Sequence, residues 1–105
     1  MSNFKAIVHY HFKKGQEEQG FKLLENEISK KCKEKGCQGI ELLRNEKQPH
    51  LVLGIATWNS LEEARHFQTI WQEKEKEIAK MCQEPPHHEF FKSCLHLSGE
   101  HKKAA

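Results

Sequence analysis

Leu51-Val52-Leu53-Gly54-Ile55-Ala56-Thr57-Trp58-Asn59-Ser60-Leu61-Glu62-Glu63 changes period at its middle. The run to Trp58 is apolar and β-rich, which predicts a buried strand. Ser60 with Glu63 is a capping box, in which the hydroxyl takes a free amide of the first helical turn and the carboxylate reaches back. Almost no linker separates the two, so a strand must end where a helix begins. The two faces of His50 to Trp58 are Leu51, Leu53, Ile55 and Val52, Gly54, Ala56, Trp58. Neither is polar, which predicts a central strand covered on both sides.

Downstream of this corner, a helix is predicted from Leu61 to Cys82. Ala64, Phe67, Ile70, Trp71, Ile78, Met81 and Cys82 gather on one side of it, and Lys74 falls inside that stripe. Pro85 and Pro86 end the helical region. Glu89 to Leu97 alternates as a further strand. Upstream, Phe4 to Phe12 alternates with period two, setting Phe4, Ala6, Val8, Tyr10 and Phe12 opposite Lys5, Ile7, His9 and His11. Gln16 to Lys35 is a helix with the stripe Phe21, Leu24, Ile28, Cys32, acidic at its start and basic at its end, as the helix dipole favours. Gly36 stands where a left-handed C-terminal residue is wanted. Gly39 to Asn45 is a strand followed by a turn through Pro49. The order β-α-β-β-α-β is the ferredoxin-like unit: an α+β fold with a four-stranded antiparallel sheet and both helices on one face. The other face keeps large apolar groups, and a second copy of the chain is expected to cover it. Residues 1–98 form one domain on this reading, and 99–105 a polar, disordered tail.

The 105 residues are 30% charged with a net charge of +2, which gives no electrostatic footprint for nucleic acid. No apolar run approaches the ~18 residues of a membrane span, and the start lacks the pattern of a signal peptide. A cytoplasmic protein is expected. Cys32, Cys37, Cys82 and Cys94 form no C-x-x-C pair and read as small reduced hydrophobes.

Three pieces now point to a family: the strand ending in Lys14-Gly15, the helix exit Glu34-Lys35-Gly36-Cys37-Gln38-Gly39, and the corner Trp58-Asn59-Ser60-Leu61-Glu62-Glu63. From Phe4 to about Leu97 the chain resembles the antibiotic biosynthesis monooxygenase (ABM) group of dimeric α/β-barrel proteins. The resemblance implies a homodimer built through the sheet face and a ligand pocket between the helices and the sheet. It also implies cofactor-independent oxygenation of a small aromatic or quinol-like substrate. The chain departs from the pattern in places. Phe67 and Gln72 stand near positions where quinol-oxidising members carry histidine, with His66 adjacent. Val8 and Phe67 stand near the asparagine and tryptophan of haem-degrading members, and no histidine lies in the C-terminal half of the second helix.

In such a pocket Tyr10, Phe67 and Trp71, with Val8 and Trp58, would hold a flat ring. Lys74 would stabilise a developing phenolate or enolate beside it, with Tyr10 orienting it and His66 as a proton acceptor. The competing reading makes the aromatics ordinary core and lets Lys74 carry its ammonium to the rim. His9 and His11 share a strand face and would hold a metal only with a further ligand such as His96. His87 and His88, after the two prolines, read as a solvated loop. No cofactor, metal, nucleic acid or membrane is expected. A ligand-binding or stress-related module without chemistry, and a haem or metal binder, remain as alternatives.

Overall fold

Alternation, helical stripes and the capping corner all become real elements in the structure, a computed structural model that describes residues 3–31, 33–97 and 99. They run β1 (Phe4–His11), α1 (Glu17–Lys31), β2 (Cys37–Arg44), β3 (Leu51–Trp58), α2 (Leu61–Ala79) and β4 (His87–Lys92). The strands form one antiparallel sheet in the order β2-β3-β1-β4. This is the α+β ferredoxin-like fold, with β3 and β1 in the centre. Cys32 and the expected tail, apart from Gly99, lie outside the described residues.

The corner forms with one difference. Ser60 is the N-cap, extended at φ −145°, and its Oγ accepts from the Glu63 amide at 3.1 Å. The Glu63 carboxylate accepts from the Ser60 hydroxyl at 3.2 Å rather than from the backbone amide. It also lies against Gly36, where any Cβ would overlap it. Gly36 has φ +86°, and its carbonyl accepts from the Asn59 amide at 2.9 Å. The exit from α1 is thereby seated on the start of α2.

Three boundaries move from the sequence reading. α1 stops at Lys31, and the chain reaches Gly36 through turns. α2 stops at Ala79 and closes with short-range bonds from Met81 to Ile78 and Cys82 to Ala79. β4 starts two residues early and ends at Lys92, because Lys92 lies opposite Phe4, where β1 itself begins. Beyond the bond from Ser93 to the Asn3 carbonyl there is no strand left to pair with. Leu95 and Leu97, expected in a strand, are 78% exposed, and Cys94 is exposed with them.

Register decides which side chains meet the helices. Tyr10 pairs with Val52, Ala6 with Ala56 and Val8 with His88, so these residues share one face. Tyr10, Phe12 and Val52 are buried there with Leu24, Trp71 and Ile78, and Trp58 with Ala56 and Ala64. A Cβ at Gly20 would overlap the Phe12 ring, which is how closely α1 sits on β1. The opposite face carries Ile7, Leu51, Leu53 and Ile55, half-buried, with Leu43 and Phe91 exposed. No helix of the described residues is long and apolar enough to cross a membrane.

Candidate functional site

Between α2 and the helix-facing side of the sheet lies a cavity of about 50 Å³. That is room for a few waters, well below the roughly 300–1,000 Å³ of ordinary small-molecule pockets. Period two brings Ala6, Val8 and Tyr10 from β1, Gly54, Ala56 and Trp58 from β3, and His88 and Phe90 from β4 to its floor. Helical spacing brings Ala64, Phe67, Gln68 and Trp71 to its roof, and Ile28 and Ile40 close the side. Phe67 and Trp71 stack with ring centres 6.0 Å apart, and Trp58 tilts against Phe67 at 5.1 Å. The wall is therefore a continuous aromatic row.

Two polar features interrupt it. Trp58 is 1% exposed, and its Nε1 is buried without a hydrogen-bond partner. Leaving a buried donor unpaired costs on the order of 1–3 kcal/mol, so the cavity is lined by a residue with an unspent donor. The second feature is a cluster around Glu75. Its Oε2 accepts from Trp71 Nε1 at 3.1 Å and from the Tyr10 hydroxyl at 3.4 Å, and its Oε1 lies 2.7 Å from His88 Nε2. The Glu75 and His88 side chains keep only 13% and 19% of their exposure. Burial, helped by the Glu75 charge, pushes the Tyr10 phenol far above its ordinary value. Tyr10 is thus a neutral donor at any ordinary pH.

The residues singled out in the sequence separate into two groups. Tyr10, Phe67, Trp71, Val8 and Trp58 meet at this cavity. Lys74 and His66 do not line it. The Lys74 ammonium faces Glu27 on α1 at 3.9 Å, a carboxylate shared with Lys30 at 3.7 Å, and the Lys74 side chain is 45% exposed. Lys74 lies in the stripe by helical angle, yet its long stem carries the charge out between the helices. His66 is exposed on α2. His9, His11 and His96 are not brought together: His9 meets Glu89 at 2.9 Å and His11 packs on His50. His96 lies beyond the end of β4. Among the described residues no group of three His, Cys, Asp or Glu side chains converges as a metal site would. Cys82 is core, its Sγ turned to the Ile78 carbonyl at 3.4 Å and its thiol pushed up by burial.

Glu75 and His88 were not anticipated. His87 and His88 open β4 instead of forming a loop, and alternation with Phe90 turns His88 inward. The signals were present: His88 lies two residues before Phe90, and Glu75 lies one helical turn after Trp71.

The family model described as antibiotic biosynthesis monooxygenase matches residues 3–92. No curated protein matches the sequence. Among solved structures the chain is similar to SnoaB, a cofactor-independent oxygenase from Streptomyces nogalater, at 12% identity. The match covers 90% of this chain and 96% of that one, with a TM-score of 0.78. A conserved protein from Methanosarcina mazei matches at 12% identity over 87% and 92% of the two chains, TM-score 0.78. Rv0793 from Mycobacterium tuberculosis matches at 11% over 92% and 99%, TM-score 0.77. At these identities the structural likeness speaks for the fold.

Proposed function

This chain belongs to the antibiotic biosynthesis monooxygenase family, and on that footing we propose that it oxygenates a small aromatic or quinol-like compound without a bound cofactor. The reaction takes place in the cavity between α2 and the sheet. The observation that carries the proposal is an aromatic-walled cavity lined by a tryptophan whose buried indole donor has no hydrogen-bond partner among the described residues. Trp58 offers an unpaired indole N–H, and beside it stands Tyr10, whose phenol burial keeps protonated and whose hydroxyl donates to Glu75.

An electron-rich ring reacts with dioxygen most readily as an aryloxide, which surrenders an electron more easily than the neutral phenol. Donors aimed at the oxyanion in a water-poor site stabilise that form. Trp71 would hold the ring plane, and Val8 would pack its edge. A ring is larger than the closed cavity, so binding parts the half-buried Phe67 and Gln68 from the sheet. The name of SnoaB as a cofactor-independent oxygenase supports the same reaction class.

The working form in this proposal is a homodimer joined through the outer sheet face. Ile7, Leu53, Ile55 and the exposed Leu43 and Phe91 form its apolar surface. Light scattering should give twice the chain mass, and a stable monomer in dilute buffer would remove the dimer from the proposal.

Oxygen uptake by chelator-treated, flavin-free protein with a panel of hydroquinones tests the activity. Uptake above the spontaneous rate, reduced at least tenfold in Trp58→Phe, is the expected result. Uptake no faster than the spontaneous rate across the panel would make the chain a binding module without chemistry.

A further inference from the structure

We propose that His88, held by Glu75, is the catalytic residue that takes the proton from the hydroxyl of the bound aromatic. The assignment rests on the functional reading above and adds the base that reading lacks.

The geometry begins with the tandem histidines. Alternation along β4 sends His87 to the outer face, 3.7 Å from Glu89 and beside His9, and sends His88 to the cavity. On that inner side Glu75 of α2 is the acidic group facing the imidazole, and Tyr10 of β1 is the other titratable neighbour in the cluster. Lys74 is occupied by Glu27, and among the described residues no lysine or arginine forms an ion pair with Glu75. Glu75 instead faces three uncharged or titratable donors: the Trp71 indole, the Tyr10 phenol and the His88 ring. In the neutral ring this contact sets the tautomer with the proton on Nε2, an assignment made from the bonding network.

Nδ1 is then the acceptor, and it makes no hydrogen bond among the described residues. The ring that carries it lines the cavity. This is the carboxylate–imidazole arrangement of general-base sites, in which the carboxylate orients the ring and stabilises the imidazolium that forms. In the step, the aryl O–H bond breaks, its electron pair stays on oxygen, and the proton passes to Nδ1. The products are an aryloxide and an imidazolium, with no oxidation at this stage. Glu75 is a positioning residue that acts through His88. A purely structural pair would fasten α2 to β4 just as well, so the test needs a readout that fastening alone does not move.

The probe is 4-nitrophenol, whose acidity is close to that of imidazole and whose phenolate is coloured. Binding is read by tryptophan quenching and ionisation by the phenolate band, about one pH unit below the free probe's midpoint. The wild type should bind the probe with a gain in phenolate absorbance. His88→Gln should bind within a few-fold of wild type and lose that gain, and Glu75→Gln should reduce it severalfold with His88 still present. Should His88→Gln fail to fold, Glu75→Gln alone decides. A phenolate gain undiminished in the variants, or a probe bound by the wild type as neutral phenol, overturns the base while leaving the aromatic site standing. No binding to the wild type overturns the functional reading and this assignment together.

Discussion

Glu75 Oε1 and His88 Nε2 meet at 2.7 Å, and that contact fastens α2 to the edge strand of the sheet at the cavity wall. Glu75→Ala would remove the acceptor of the His88 ring nitrogen and of the Tyr10 hydroxyl, and would leave the Trp71 indole only the Tyr10 oxygen at 3.4 Å. Each unpaired buried donor costs about 1–3 kcal/mol. Partial rehydration offsets part of this, so a net loss of roughly 2–4 kcal/mol is expected from urea denaturation. A loss below about 0.5 kcal/mol would show that the cluster is not formed in solution.

Tyr10 is the sole tyrosine of the chain, which makes its titration visible by ultraviolet absorbance. Its phenol is raised by burial first and by the Glu75 charge second. An unfolded tyrosine ionises near about pH 10. Above that pH the unfolded chain releases a proton that the folded chain keeps. The stability linked to Tyr10 is therefore complete below about pH 10 and is lost as pH rises towards the folded value. Tyrosinate absorbance should appear only together with unfolding, and Tyr10→Phe should flatten the alkaline loss of stability. Ionisation in protein that is still folded, near the ordinary value, would contradict the burial argument.

Phe67 stacks between Trp58 and Trp71 and roofs the cavity. Phe67→Ala should enlarge the cavity enough to admit a ring without parting α2 from the sheet. The expected result is tighter binding of naphthol-sized ligands, with a stability cost of about 2–4 kcal/mol, near the lower end for Phe→Ala because Phe67 is only half-buried. Weaker binding would mean that Phe67 is a required face of the site, and calorimetric titration distinguishes the two.

Lys74→Ala should leave turnover and ligand affinity unchanged, since its ammonium faces Glu27 and not the cavity. With the lysine 45% exposed and the pair at 3.9 Å, the stability change should stay below about 1 kcal/mol. A large loss of turnover with an intact fold would put Lys74 back at the site.

The fold could be read from the chain because its strongest signals are local. Alternation from Phe4, the stripe through Trp71 and Ile78, and the Ser60–Glu63 corner each need only their own neighbours. The aromatic walls could also be read, since large rings on a buried stripe have one side to face. The polar half of the site could not. Lys74 lies in the stripe and Glu75 next to it, and helical angle alone does not tell which will turn to the cavity; His88, thirteen residues along the chain from Glu75, meets the Glu75 carboxylate. His88 in turn was hidden by Pro85 and Pro86, which suggested a loop. Pairing with Val8 makes it a strand residue, and that is a tertiary fact.

β4 is short, lies at the edge of the sheet and pairs with β1 alone. Edge strands with one partner are where register is least firmly held. Because side chains alternate, moving β4 by one residue in either direction changes what faces α2: one way presents His87, the other Glu89. The doubled histidine thus makes the site tolerant of one of the two slips, for an imidazole still arrives beside Glu75. The opposite slip would set two carboxylates against each other, and their repulsion opposes it. The pairing observed, with His88 opposite Val8, is the one that sets the imidazole 2.7 Å from the Glu75 carboxylate, so this contact between α2 and the edge strand favours the register that makes it.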